Sequence, residues 1–337
     1  MSKISVLGGG SWGLTLANHL VSLGHDVVVW TRTAEKAEKL ARERECPRRL
    51  PGIRLSDEIS FTSDIATAME NAEYLLFVVP SQAIRSVAKL VREAGHYPTK
   101  VISATKGIEI ETGLRMSQVI IDELGDVAVA ALSGPSIAIE VARKLPASVV
   151  AASENGDFAR EVQELFHSSL FRVYTSEDII GVELGGALKN IVAIAAGISD
   201  GMGFGANTKG ALLTRGLAEI MRLGIHLGAK PVTFAGLSGM GDLITTSFSR
   251  HSRNRHVGEE LGKGRKLDDI LSEMVMVAEG VPTTEAVYKL SVKLNIDMPL
   301  THAVLMILKG EWTPMHAVRE LTRREPKPEY YLKWTGL

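Results

Sequence analysis

Short runs of apolar residues punctuate the first half of the chain, at 4–7, 27–30, 74–79, 100–104, 127–131, 148–151 and 171–174, and each reads as a β-strand. The runs are nearly continuous in apolar residues and are separated by amphipathic stretches, as in strands covered by helices on both faces. This pattern predicts a doubly wound parallel sheet. Beyond Thr175 the strand signals fade, and apolar positions recur at helical spacing over 183–199, 209–227, 267–276, 283–294 and 300–309. The expected organisation is an α/β N-terminal domain over residues 1–180 and a mostly α-helical C-terminal domain over 181–337.

Composition agrees with two domains and narrows the partners. With 337 residues, 45% of them hydrophobic, the chain can bury a large core and exceeds the usual size of a single domain. A net charge of −1 supplies no global field to draw nucleic acid or an anionic membrane, whereas a local basic segment still suits a small anion. The single cysteine, Cys46, excludes an intrachain disulfide and a Cys-rich metal site, in keeping with a reducing, cytoplasmic setting. Cys46 itself reads as a solvent-side thiol in a charged loop. The chain enters its first strand at once, without the charged and apolar segments of an export signal. The apolar stretch 179–198 carries Glu183, Lys189 and four glycines, so it reads as a buried helix and not as a transmembrane segment.

The first strand runs straight into Gly8-Gly9-Gly10-Ser11-Trp12-Gly13, and a helical stretch and a second strand follow. Glycines at the first, third and sixth positions, Gly8, Gly10 and Gly13, allow a sharp turn, close approach of a pyrophosphate and tight packing of helix on strand. This is the glycine loop of a Rossmann-like dinucleotide cradle. After the second strand come Thr31 and Arg32, where an NAD-specific protein usually carries an acid for the ribose hydroxyls. Arg32 is either a partner for the 2′-phosphate of NADP or an ordinary surface arginine; NADPH is favoured and NAD stays open. Ser81 follows a strand as a helix cap. Lys106 beside Gly107 can face the ligand crevice or the solvent. Ser136 opens a helical run, 137–142, as a second anion-friendly terminus or a plain cap.

In the second half, Glu183-Leu184-Gly185-Gly186-Ala187-Leu188-Lys189-Asn190 places a lysine inside an apolar helix. Two helical glycines cost roughly 1 kcal/mol each, which points to close approach by a ligand or another backbone. Desolvation among Leu188, Ile191 and Val192 lowers the pKa of an amine, the condition for proton exchange near neutrality. The competing assignment is a structural lysine, paired with Glu183 or snorkelling at the helix edge. A flexible loop, 236–243, then delivers the carboxylate of Asp242, and Ser252, Arg253 and Asn254 form a donor cluster matched to phosphate oxygens. His251 and His256 lack companions at zinc-like spacing, so no metal site is expected.

Together with Leu50-Pro51-Gly52, Ala104-Thr105-Lys106-Gly107, Leu132-Ser133-Gly134-Pro135-Ser136, Gly239-Met240-Gly241-Asp242-Leu243 and Ala278-Glu279-Gly280-Val281, these stretches fall in a fixed order. The set resembles the bacterial NAD(P)-dependent glycerol-3-phosphate dehydrogenase family over nearly the whole chain. Two departures are visible: Leu14 replaces the family's threonine or alanine, and Cys46-Pro47-Arg48-Arg49 replaces an Asn-containing approach to Leu-Pro. The resemblance implies Lys189 as proton acceptor, with Lys106 and Asp242 beside it in the catalytic set. It further implies substrate contacts from Lys106, Gly134, Ser136, Lys189, Asp242, Ser252, Arg253 and Asn254. Cofactor contacts are implied for Ser11, Trp12, Arg32, Lys106, Ala138, Arg253, Val277 and Glu279, with the glycine loop.

That family membership implies reduction of dihydroxyacetone phosphate to sn-glycerol 3-phosphate for phospholipid synthesis, by a homodimer using NADP or NAD. Two other classes stay open at this level: a dehydrogenase of hydroxy or sugar acids on a similar plan, and a non-catalytic NADP-binding sensor. The tail 323–328 reads as loosely ordered, its charges solvated.

Overall fold

The computed structural model describes residues 1–326, 328 and 329. Its strands are β1 (Lys3–Leu7), β2 (Asp26–Trp30), β3 (Glu45–Cys46), β4 (Leu50–Arg54), β5 (Ser60–Thr62), β6 (Tyr74–Phe77), β7 (Lys100–Ser103), β8 (Ala128–Ser133), β9 (Ala147–Ala152) and β10 (Phe171–Ser176). Eight of them form one sheet in the order β10-β9-β8-β7-β6-β1-β2-β5, and β3 with β4 makes a separate hairpin. The chain builds outward from β1 to β2 and β5, then returns to β6 and builds the other way. The strand order therefore reverses between β1 and β6, and the crevice beyond their carboxyl ends is where such folds hold ligands.

The helices flanking the sheet are α1 (Ser11–Ser22), α2 (Ala34–Glu43), α3 (Ile65–Met69), α4 (Ile84–Glu93), α5 (Met116–Leu124), α6 (Ala138–Ala142) and α7 (Gly156–Phe166). Successive strand residues face opposite layers. Ile4 and Val6 enter one apolar cluster with Leu16, Leu20 and Phe166, whereas Leu7 joins Phe77, Ile84 and Ile120 on the other side. Each fully buried Leu or Ile contributes about 1.5–3 kcal/mol.

The sheet is not wholly parallel. β8 and β9 pair antiparallel, Leu132 opposite Ala151, and β10 then runs parallel to β9. Strands apolar on both faces look alike in either direction, so their composition does not encode it. The connection from β8 to β9 carries only the five-residue α6. The hairpin β3–β4 and the polar edge strand β5 are further elements that apolar periodicity does not reveal.

From Ile179 onward the chain is helical: α8 (Ile179–Gly201), α9 (Ala206–His226), α10 (Pro231–Phe234), α11 (Asp242–Phe248), α12 (Arg253–Gly262), α13 (Leu267–Glu273), α14 (Gly280–Lys293), α15 (Pro299–Leu308) and α16 (Pro314–Thr322). All five helices read from periodicity are present with shifted ends. α8 is apolar on all sides and forms the axis of this half, packed by Leu223, Val257, Val287 and Val304. It is the one helix among the described residues long and apolar enough to cross a membrane, and 94% of that apolar window is buried within the fold. In the tail, Arg324 is not merely solvated: it pairs with Asp297 at 2.5 Å. Arg323 lies 3.8 Å from Glu320, and Lys327 lies outside the described residues.

Candidate active site

Three side chains distant in sequence meet where the sheet abuts α8. The two glycines of α8 make this possible. A Cβ on Gly185 would stand 2.6 Å from the Ser238 carbonyl oxygen, and one on Gly186 would collide with Ser133 Oγ at the end of β8. Another backbone thus accounts for the first glycine, and a side chain of the sheet for the second. Lys189 follows one turn later, and Lys106 lies just beyond β7 with its stem against Gly186. Residues 236–243 are not a flexible loop: Leu237–Gly241 forms a π-helical turn that leads into α11, so Asp242 opens a helix and is 2% exposed.

Asp242 bridges both lysines. Lys189 Nζ donates to Oδ1 at 2.5 Å, and Lys106 Nζ donates to Oδ2 at 2.6 Å. Lys189 also donates to Thr246 Oγ1 at 2.6 Å, while Lys106 donates to the Gly134 carbonyl at 2.9 Å. Ser136 Oγ lies 3.4 Å from Lys106 Nζ and donates to Gly134 O at 2.9 Å. Ser136 is therefore neither a cap nor part of an anion-binding terminus, because α6 is short and begins after Ile137.

Burial pulls the Lys189 ammonium down to about 7, with Asp242 opposing and Lys106 and Arg253 adding to the fall. Burial raises the Asp242 carboxyl, but the two ammonium groups outweigh it and hold it below the usual carboxylate range. Glu183, the alternative partner of Lys189, is engaged elsewhere: it accepts from Arg115 Nη1, from Ser117 N at 2.8 Å and from Ser117 Oγ at 2.6 Å. Thr246 is absent from the sequence-derived set. It sits one helical turn after Asp242, a spacing that becomes meaningful only once 242–248 is recognised as helix.

The glycine loop fits a dinucleotide. Gly8 has φ +133° and packs on Val78, and a Cβ on Gly13 would collide with the Gly8 carbonyl, whereas nothing lies within 4 Å of a Cβ on Gly10. α1 begins after Gly10 with no side-chain cap and no acid in its first turn, leaving its N–H groups open to an anion. Ser11 Oγ donates to the Arg49 carbonyl and lies 3.0 Å from Met276 Sδ. Trp12 turns toward Phe171, packing on the sheet core, and the Ala138 carbonyl accepts from Thr15 Oγ1 at 3.3 Å. Arg32 is exposed beyond β2. Cys46 is half-buried in the β3–β4 hairpin and packs against the sheet core, so it is not a solvent-side thiol.

The segment 274–279 links the helical half to this crevice. Glu279 accepts from Ser81 N at 3.0 Å and from Ser81 Oγ, so Ser81 holds a distant carboxylate and does not cap its helix. Burial raises the Glu279 carboxyl, with the Ser81 hydrogen bonds and the charge of Arg253 opposing. Arg253 is exposed at the start of α12 and donates to the Val277 carbonyl at 2.6 Å. Ser252 caps α12 through Arg255 N at 3.2 Å. Asn254 is buried and accepts from Gly280 N at 2.8 Å, which leaves its amide N–H groups as donors. α12 reaches this place because Gly258 packs directly on the Ile194 carbonyl of α8. Among the described residues no group of three or more His, Cys, Asp or Glu side chains is placed to hold a metal.

Family models described as NAD-dependent glycerol-3-phosphate dehydrogenase N-terminus and C-terminus match residues 3–159 and 178–319. A glycerol-3-phosphate dehydrogenase (NAD(P)+) from Chlorobium phaeobacteroides (strain BS1) is 50% identical over 330 residues, covering 97% of this chain and 99% of the relative. Its counterpart from Chlorobium limicola is 49% identical over 331 residues, with the same coverage. The crystal structure of glycerol-3-phosphate dehydrogenase from Coxiella burnetii superposes with a TM-score of 0.92 at 38% identity, over 96% of this chain and 99% of that one. Matches to both halves, together with identity of about one half along nearly full lengths, place this chain in the NAD-dependent glycerol-3-phosphate dehydrogenase family.

Proposed function

We propose that the protein reduces dihydroxyacetone phosphate to sn-glycerol 3-phosphate, reversibly, with NADPH or NADH as reductant, and that it supplies phospholipid synthesis from the cytoplasm as a homodimer. The observation that carries this reading is the buried Lys189 ammonium, hydrogen-bonded to Asp242 and facing Lys106 across it. We take residues 1–180 as the dinucleotide-binding domain and 181–337 as the substrate domain.

When bound, the nicotinamide supplies the hydride for C2 of the substrate. The glycine loop and the open N-terminus of α1 would hold its pyrophosphate, with Ser11, Trp12, Arg32, Ala138, Val277 and Glu279 around it. In reduction Lys189 gives the proton of its Nζ to the forming alkoxide; in oxidation the neutral amine takes the hydroxyl proton. A pKa near 7 suits both directions. Asp242 keeps the amine in place and balances its charge. Lys106 sets positive charge beside the oxygen that becomes negative, with Gly134 and Ser136 fixing the ammonium. Arg253, with Ser252 and Asn254, would grip the phosphate end, so that binding energy remote from C2 orients the reacting carbon.

The test is an absorbance assay of nicotinamide oxidation with dihydroxyacetone phosphate, run beside 2-keto acids and unphosphorylated dihydroxyacetone. Turnover with the phosphate ester alone supports the reading. Turnover confined to keto acids, or none despite nicotinamide binding, overturns it.

A further inference from the structure

Two helices lying backbone to backbone set the span between the proton donor and the phosphate donors. A Cβ on Gly197 would collide with the Arg255 carbonyl and one on Gly201 with the Glu259 carbonyl, while Gly258 and Gly262 meet the Ile194 and Ile198 carbonyls in return. α8 and α12 therefore run side by side in the same direction. Contact of 255 with 197 and of 258 with 194 sets the start of α12 beside the stretch of α8 that follows Lys189. Glycines permit so close an approach, and polar contacts of fixed geometry hold its register.

Asp200, in the last turn of α8, supplies such a contact. Its Oδ2 accepts from Arg255 Nε at 2.8 Å, and Lys209 Nζ donates to Oδ1 at 3.0 Å and to Oδ2 at 2.9 Å. Lys209, in the first turn of α9, also stands 4.4 Å from the centroid of the Phe248 ring at the end of α11. One carboxylate thus fastens both ends of the segment 248–255, Phe248 through Lys209 and Arg255 directly. Between these ends lie Ser252, Arg253 and Asn254. Arg255 also lies 3.1 Å from Glu259 through Nη1, so its guanidinium serves the helix pair and not a ligand. The side chains of Asp200, Lys209 and Arg255 are only 20%, 12% and 16% exposed, and solvent screens such pairs less than surface ones.

We propose that Asp200, acting through Arg255 and Lys209, is a positioning residue for the phosphate end of the substrate, holding Ser252, Arg253 and Asn254 at a set distance from Lys189. Among the described residues none of the three hydrogen-bonds to Lys189, Lys106 or Asp242. Loss of the Asp200 charge therefore leaves the proton donor in place and lets the phosphate donors drift. Such drift weakens ground-state and transition-state binding alike, which raises KM and nearly keeps kcat. A role in stability alone would instead lower the active fraction, scaling kcat at constant KM. The inference rests on the dehydrogenase reading above and extends it to a residue outside the site.

The experiment is steady-state kinetics of the full chain and its Asp200→Asn, Lys209→Met and Asp200→Asn/Arg255→Gln variants, paired with calorimetric titration with sn-glycerol 3-phosphate. Asp200→Asn should raise KM for dihydroxyacetone phosphate by about 5–30-fold and weaken calorimetric binding to match. Its kcat should change by less than about threefold, with KM for the nicotinamide unaltered. Lys209→Met loses the ion pair and should move KM the same way by a smaller factor. The double variant should lose no more than about twofold beyond Asp200→Asn, because both changes break one contact. A KM within about twofold of the unaltered protein, or a fall in kcat at constant KM, would overturn the proposal; should Asp200→Asn not fold, Lys209→Met decides by the same criterion. Absence of turnover by the unaltered protein, with sn-glycerol 3-phosphate bound and the variants weaker, would instead strike the reaction assigned above.

Discussion

Replacing Asp242 with Asn removes one negative charge from between two lysines and keeps the shape of the side chain. Lys189 Nζ stands 2.5 Å from one carboxylate oxygen and Lys106 Nζ 2.6 Å from the other. At an effective dielectric constant of about 20, each such pair attracts by roughly 6–7 kcal/mol. Solvation and the amide dipole offset most of this loss. If only a fifth survives, about 1.4 kcal/mol, the Lys189 pKa falls by about one unit. Burial has already brought that ammonium to about 7, so the variant would be mostly neutral at neutral pH. Reduction needs the ammonium as proton donor, and it therefore loses its acid earlier as pH rises. The descending limb of kcat against pH for dihydroxyacetone phosphate reduction should move about one unit toward acid. In the oxidative direction, which needs the neutral amine, the ascending limb should move the same way. The assay is steady-state turnover at saturating nicotinamide across the pH range, with folding checked by circular dichroism. A descending limb that stays in place while kcat merely scales down would show that Asp242 does not govern the protonation of Lys189.

Lys189→Ala should lower kcat by about 10²–10⁴-fold with dinucleotide affinity unchanged in a fluorescence titration; undiminished turnover would remove it from the mechanism. Arg253→Ala should raise KM for dihydroxyacetone phosphate by about tenfold or more, and an unaltered KM would count against its grip on the phosphate. Glu183→Ala leaves Arg115 buried without its carboxylate, 68 positions away in sequence, and urea unfolding should show a loss of about 3–5 kcal/mol. Stability within about 1 kcal/mol of the unaltered protein would mean that this pair does not fasten α8 to the start of α5.

Much of the framework was legible because its signals are local. The strand before Gly8 and the helix after Gly13 follow from hydrophobic run and glycine spacing, each confined to a few residues. α8, α9, α13, α14 and α15 follow from helical periodicity, and their ends moved by only a few positions. α11 escaped notice because Gly236, Gly239 and Gly241 just before it read as loop, although a π-helical turn accommodates two of them. The short polar strands β3 and β5 carry no apolar alternation to detect.

The chain's own order of residues determined that an amine would sit in an apolar helix, that a glycine loop would open toward an anion, and that Ser252, Arg253 and Asn254 would form a donor cluster. Folding alone decided the partners. Lys189 and Asp242 are 53 positions apart, and Ser81 and Glu279 are 198 apart. Such pairings depend on how closely helices and sheet approach, which here is set by backbone contact at Gly185 and Gly258 and by the Ser133 side chain against Gly186. The reversed direction of β9 and β10, and the folding of Arg49 onto Gly9, are of the same kind. Local propensity is encoded within a turn or two of the chain, whereas a buried charge takes whichever partner the packed elements bring within hydrogen-bonding reach.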